Sequence, residues 1–113
     1  MPDEPLTPAV FALLLALTAG QRHGYALVGD VDQLTDGVLR LGAGTLYRSL
    51  QRMRVDGLIE ELPDPGEDAD LPDRRAERRR RYQITAAGRD AVRADARRLA
   101  GLVDAARRRG LLD

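Results

Sequence analysis

The sequence predicts a mainly α domain with a small β-hairpin, and three observations predict it. Three segments of helical period, at about residues 8–19, 23–36 and 43–56, each close at or near a glycine. After Gly57 the period changes from that of a helix to that of a strand, interrupted by a connection rich in proline, glycine and aspartate. From Ala86 onward the helical period returns, with a narrow apolar seam among arginines and aspartates.

A chain of 113 residues suits one compact domain and is short for two, so a small core completed by a second subunit is expected. There is no cysteine, which excludes a disulfide scaffold, a thiolate metal site and a cysteine nucleophile. The N-terminus does not resemble a signal peptide, and the longest apolar run, Ala9 to Leu17, falls well below the roughly 20 residues of a bilayer-spanning helix. A cytoplasmic protein with no membrane partner is the expectation. Formal net charge is zero, which argues against an undirected polycation, but the charges are unevenly placed. Eight acids lie between Glu60 and Glu77, whereas Arg78 to Arg81 are consecutive cations and Arg40 to Arg54 contains four arginines and no acid. All eighteen basic residues are arginine, a bias that coding composition alone can produce, so arginine content by itself is weak evidence for phosphate binding.

Taking the elements in order, "LTPAVFALLLALTAG" offers Thr7 as N-cap, Pro8 at the first helical position, where a missing N–H costs nothing, and Gly20 beyond the end. Its apolar residues lie nearly all round, as suits a helix covered by its own domain and by a partner. In "HGYALVGDVDQLTDG", Leu27, Val31 and Leu34 form one stripe with Val28 beside it, and Gly37 ends the second helix. Tyr25 reads as core or helix-pair packing, and His23 as a structural residue opening this helix rather than a ligand or base. "VLRL" is a candidate extended piece before the third helix.

In the third helix Leu46, Leu50 and Met53 recur at i, i+4 and i+7 and face a core, with Gly57 placed as the C′ residue. Opposite that stripe lie Gly44, Arg48 and Gln51, flanked by Thr45 and Arg52 on one side and Tyr47 and Arg54 on the other. The outer face is rich in donors and free of acids. "LIEEL" and "RRRYQIT" then alternate as strands, giving a hairpin at about 58–85. Three helices followed by a hairpin form a winged helix-turn-helix, in which the second and third helices are the motif and the hairpin is the wing. Thr85 caps the last helix, where Val92, Ala96, Leu99, Val103 and Ala106 follow one another at spacings of four, three, four and three. Such a seam asks for a partner helix, so dimerisation is expected there. Residues 1–85 thus read as a winged helix-turn-helix DNA-binding domain and 86–113 as a C-terminal dimerisation helix and tail.

The blocks "HGYALVGDVDQLTDG", "GAGTLYRSLQRMRVDGLIE" and "RRYQITAAGRDAV" resemble, in the same order, those of PadR-family transcriptional regulators, and the resemblance runs from Leu6 to about Leu99. It implies a bacterial DNA-binding repressor or effector-responsive regulator of the short type, without a large separate effector domain. It implies also a homodimer joined through terminal helices, with the third helix in the major groove of double-stranded operator DNA and the wing on the backbone or minor groove. Gly44, Thr45, Tyr47 and Arg48 fall on the block opening the recognition helix, and His23, Gly24 and Tyr25 on the block opening helix two. The acidic stretch from Asp64 to Asp73 departs from a phosphate-binding wing, leaving its arginine-rich base for backbone contact.

Candidate DNA-binding residues are therefore Gly44, Thr45, Tyr47, Arg48, Gln51, Arg52, Arg80 and Arg81, with Arg48 and Gln51 for base edges and the rest for phosphate or close approach. The bland readings stand beside these: an exposed polar helix face, and a solvated strand edge at Arg78 to Arg81. No cofactor is expected, and the acidic loop fails the spacing of a calcium loop. One histidine, no cysteine and acids gathered in a loop supply no nucleophile with a base and no metal set, so an enzyme is not expected. A winged-helix module that binds protein instead of DNA is the alternative, with a MarR-like regulator as runner-up within the DNA-binding class.

Overall fold

The computed structural model describes residues 4–63 and 80–113. In chain order the elements are α1 (Pro8–Leu17), β1 (Arg22–His23), α2 (Ala26–Leu34), α3 (Ala43–Val55), β2 (Ile59–Leu62), β3 (Arg81–Ile84) and α4 (Ala86–Arg108). A mainly helical chain thus carries a three-stranded antiparallel sheet in the order β1-β3-β2, which is the winged helix-turn-helix arrangement. The stretch from Asp64 to Asp73 and the cations Arg78 and Arg79 lie outside the described residues.

α1 begins as its cap residues require: Thr7 Oγ1 accepts the Val10 N–H at 3.1 Å and Pro8 occupies the first turn. It ends two residues earlier than expected, at Leu17, because the Thr18 hydroxyl donates to the Leu15 carbonyl at 2.6 Å and tightens the last turn. Leu13, Leu14 and Leu17 enter the core, where they meet Leu27 and Val31 of α2, Leu46, Leu50 and Met53 of α3, and Ile59, Tyr82 and Val92. Each such aliphatic side chain, fully withdrawn from water, contributes about 1.5–3 kcal/mol.

The second helix starts at Ala26, not at residue 23, and this is a correction with a clear cause. Arg22 and His23 form β1, paired with Tyr82 and Arg81 of β3, and the Gly24 N–H donates to the Arg80 carbonyl at 3.0 Å. Those backbone groups are committed to the sheet and cannot open a helix. Arg22 also clasps Asp30 of α2 with two bonds, of 2.8 and 2.9 Å, and this hydrogen-bonded pairing holds its guanidinium above its ordinary pKa. Tyr25 is 57% exposed, which corrects its reading as a core residue, and Leu34, on the apolar stripe, is 50% exposed, so neither is buried in the core of the single chain. Tyr25 stands at the N-terminal end of α2, beyond the reach of the core-facing stripe, and Leu34 lies in the last turn. The stretch Val38 to Leu41 forms no strand; its start is held by Thr35, whose hydroxyl accepts the Leu39 N–H at 3.0 Å.

α3 keeps its expected boundaries to within a residue. Gly57, at φ +78°, supplies the left-handed residue that ends it, and the Leu58 N–H donates back to the Met53 carbonyl at 2.9 Å. β2 and β3 then pair Ile59 with Ile84, Glu60 with Gln83, Glu61 with Tyr82 and Leu62 with Arg81.

The junction between hairpin and α4 is the tightest in the fold. Thr85 Oγ1 accepts the Gly88 N–H at 3.0 Å and donates to the Gly57 carbonyl at 2.6 Å, while the Thr85 N–H donates to the Leu58 carbonyl at 3.0 Å. One residue therefore caps α4 and ties it to the end of α3. Thr85→Ala removes both side-chain bonds and should cost about 1–2 kcal/mol, the upper part of the span of about 0.5–2 kcal/mol for N-cap losses. Urea unfolding checks this: the midpoint falls while the slope stays as in the wild type.

Farther along α4, Asp95 is only 7% exposed; it accepts the Leu6 N–H at 3.2 Å and a bond from Arg98 Nε at 3.1 Å. The segment before α1 is thereby fastened to α4, with satisfied partners for a carboxylate that would otherwise be costly to bury. Among the described residues no helix is long and apolar enough to cross a membrane.

Candidate nucleic-acid interface

The apolar stripe of α3 faces inward, so its opposite face must face out. Gly44, Thr45, Arg48, Gln51 and Arg52 are all exposed, and Tyr47 is half-buried on the flank. Gly42, the N-cap of α3, makes no side-chain capping bond, so the first backbone N–H groups of the helix are not claimed by a cap. The charges along α3 differ in availability. Arg52 pairs with Asp56 at 3.4 Å and Arg54 with Glu61 at 2.6 Å, whereas Arg48 has no carboxylate within ion-pair distance among the described residues. Its guanidinium lies over Gly44, with Nη1 3.4 Å from the position a Cβ would take there, and Nη2 donates to Thr45 Oγ1 at 3.5 Å. Arg48, Thr45 and Gly44 therefore form one group at the start of the helix.

At the wing, Arg80 pairs with Glu61 at 3.1 Å, and Arg81 donates to Gln21 Oε1 at 3.1 Å and to the Pro63 carbonyl at 3.3 Å. Tyr47 and Gln51 of α3 meet Arg80 across a groove of about 130 Å³, whose other walls are Leu50, Arg54, Glu61 and Tyr82. The structure thus brings three of the sequence candidates together there and keeps Arg48, Thr45 and Gly44 on the adjoining open face. Tyr82 is buried, and desolvation pushes its phenol well above its ordinary pKa; Glu61 and Tyr47 add to the shift and Arg80 opposes it. Its hydroxyl stays protonated and donates to Glu61 Oε1 at 3.4 Å.

Three sequence blocks meet at a glycine. A Cβ on Gly24 would lie 3.2 Å from Tyr82 Cε2 and 3.3 Å from Tyr47 Cε1, so the His-Gly-Tyr stretch brings its glycine under the rings of the other two blocks. Sequence reasoning missed Arg54 and Glu61 as members of the site. Arg54 had a signal in its place on the flank of α3; Glu61 had none, since its partners come from α3 and from Arg80, the residue before β3 and nineteen away along the chain.

Of the dimerisation candidates, Val92 is buried within its own chain, Ala96 is exposed, Val103 is partly exposed, Ala106 is half-buried, and Leu99 is 36% exposed. Leu99 borders a second groove, of about 480 Å³, with Phe11, Leu15, Leu34, Leu39 and Asp95. This apolar wall accounts for the exposure of Leu34.

The family described as "Transcriptional regulator PadR-like family" matches residues 13–94. An uncharacterized 37.1 kDa protein in transposon TN4556 of Streptomyces fradiae is 32% identical over 94 residues, which cover 83% of the chain. The chain spans about a quarter of that relative's length, since the match takes in 24% of it. Among solved structures, a transcriptional regulator from Clostridium thermocellum superposes with TM-score 0.70 at 21% identity, covering 88% of this chain and 87% of that one. A PadR family transcription regulator from a hypervirulent Clostridium difficile gives TM-score 0.69 at 19% identity, covering 90% and 97%. At these identities the structural likeness shows the fold, and the family match, spanning all three motif blocks, shows the kinship: the chain belongs to the PadR-like family of transcriptional regulators.

Proposed function

We propose that the protein is a sequence-specific DNA-binding repressor that works in the cytoplasm as a homodimer on a near-palindromic operator. The observation that carries this reading is the outer face of α3, where Thr45, Arg48 and Gln51 are exposed and Arg48 has no carboxylate to neutralise it among the described residues. A helix serving only to pack a core has no need of such a face. Two protomers related by a twofold axis set their α3 helices in successive major grooves about 34 Å apart. Arg48 and Gln51 reach base edges, and Thr45, Tyr47 and Arg52 reach phosphates, with Gly44 allowing close approach. The wing grips the backbone through Arg81, together with Arg80 to the extent that Glu61 releases it.

The dimer forms through the exposed part of α4 and the wall of the Leu99 groove. An effector that releases DNA would bind in or beside that groove, which is mostly apolar with Asp95 and Arg98 as its polar groups.

Fluorescence anisotropy tests the reading, with duplex DNA from upstream of the protein's own gene set against random duplex. Preferential binding to the former, weakening as salt rises, supports a regulator. Absence of binding to either duplex at low salt would replace it with a protein-interaction module. Arg48→Ala should weaken binding to the operator by about 1–3 kcal/mol, the value of one bidentate base contact, and change binding to random duplex much less. Equal losses on both would move Arg48 to the phosphate contacts.

A further inference from the structure

Glu61 is the point on which the arginines around the α3–wing groove converge. Its Oε2 accepts from Arg54 Nη1 at 2.6 Å, and its Oε1 accepts from Arg80 Nη1 at 3.1 Å and from the Tyr82 hydroxyl at 3.4 Å. The carboxylate side chain is 20% exposed, while the two arginine side chains remain about half exposed. The groove they border has a volume of about 130 Å³. It opens beside Gln51 and Tyr47, the residues assigned to DNA. Two cations therefore stand at the edge of the proposed DNA surface with their charge turned inward onto one acid.

We propose that Glu61 is a specificity-setting counter-charge: by holding Arg54 and Arg80 it keeps the groove from acting as an indiscriminate grip on the phosphodiester backbone of duplex DNA. The inference rests on the DNA-binding reading above and adds two residues to it, Arg54 and Glu61. Phosphate contacts carry no sequence information and raise affinity for every duplex alike. Each cation withheld from them lowers non-specific binding and leaves discrimination to Arg48 and Gln51. With Glu61 ionised the trio Arg54, Arg80 and Glu61 carries a net charge of +1; with Glu61 neutral it carries +2. The ion pairs are too exposed to be a large part of the folding stability, so neutralising the acid leaves the fold in place.

The test is the salt dependence of binding to a random-sequence duplex two helical turns long, by fluorescence anisotropy, for the wild type, Glu61→Gln and Arg54→Gln. For Glu61→Gln the slope of log K against log salt should steepen by about 0.9 for each arginine released to a phosphate, hence by about 0.9–1.8 per protomer, with tighter binding at the lowest salt. For Arg54→Gln the slope should stay at the wild-type value, because that arginine is already engaged by Glu61. A wild-type slope in Glu61→Gln overturns the proposal, and so does weaker binding at every salt concentration without a change of slope, the mark of a merely structural role. A slope shallower by about 0.9 in Arg54→Gln overturns it independently, since it means that Arg54 grips DNA in the wild type. If the wild type binds no duplex at all, the DNA-binding reading falls with it; if the wild type binds and only the variants disagree, the role of Glu61 falls alone.

Discussion

Gly88→Ala is expected to lower the melting temperature by about 10–20 °C, corresponding to a loss of about 3 kcal/mol for a domain of this size. A Cβ at this position would lie 2.2 Å from the Leu58 carbonyl oxygen, 2.8 Å from Ile84 Cγ1 and 3.1 Å from the Leu58 carbonyl carbon. The oxygen cannot simply retreat, because it accepts the Thr85 N–H, and the Leu58 N–H is itself bonded to the end of α3. Relief therefore comes only from tilting α4, which withdraws Val92 from the core and strains the Thr85 cap. Gly101→Ala provides the comparison on the same helix. Among the described residues nothing lies within 4 Å of a Cβ there, so the change should be neutral or stabilising by up to about 1 kcal/mol through helix propensity. Thermal unfolding followed by circular dichroism separates the two, and similar melting temperatures for both variants would disprove the close-approach explanation.

Leu99→Asp should abolish the dimer while leaving the protomer folded. In the single chain Leu99 is 36% exposed, so an aspartate there keeps contact with water and disturbs little of the core. In a dimer that covers the groove of Phe11, Leu15, Leu34 and Leu39, the same carboxylate is buried beside Asp95, to which the groove's Arg98 is already paired, at a cost of several kcal/mol in each protomer. Sedimentation velocity should show half the wild-type mass with unchanged far-ultraviolet circular dichroism. Specific DNA binding should fall with it, since two linked half-sites become two separate weak ones. A variant that still sediments as a dimer would remove α4 around Leu99 from the interface.

The single sequence determined the features that depend on near neighbours. The i, i+4, i+7 run of Leu46, Leu50 and Met53 fixed which face of α3 is buried and so which face is left exposed. Thr7 with Pro8, Gly57 and Thr85 marked helix ends because caps act within a turn of the backbone they satisfy. The change of period after Gly57 gave the hairpin, and three motif blocks together gave the family.

What the tertiary structure alone decided are pairings between residues far apart in the chain. β1 is two residues long and has no period of its own; Arg22 and His23 became a strand because β3 offers Tyr82 and Arg81 beside them. Gly24 and Gly88 stand in the motif blocks, but only the fold shows what each glycine makes room for: one lies under the rings of Tyr47 and Tyr82 and the other against the carbonyl of Leu58. Leu34 matches a helical stripe and is still half exposed in the single chain, since a stripe says which residues share a face and not how far a neighbouring element extends over it. Glu61 sits at the start of the run of acids in the wing, and only the β2–β3 register, with α3 docked against it, sets its carboxylate between Arg54 and Arg80. Periodicity and capping are local interactions written in adjacent residues; register, close approach and charge pairing arise from docking, where the partner's distance along the chain leaves no local trace.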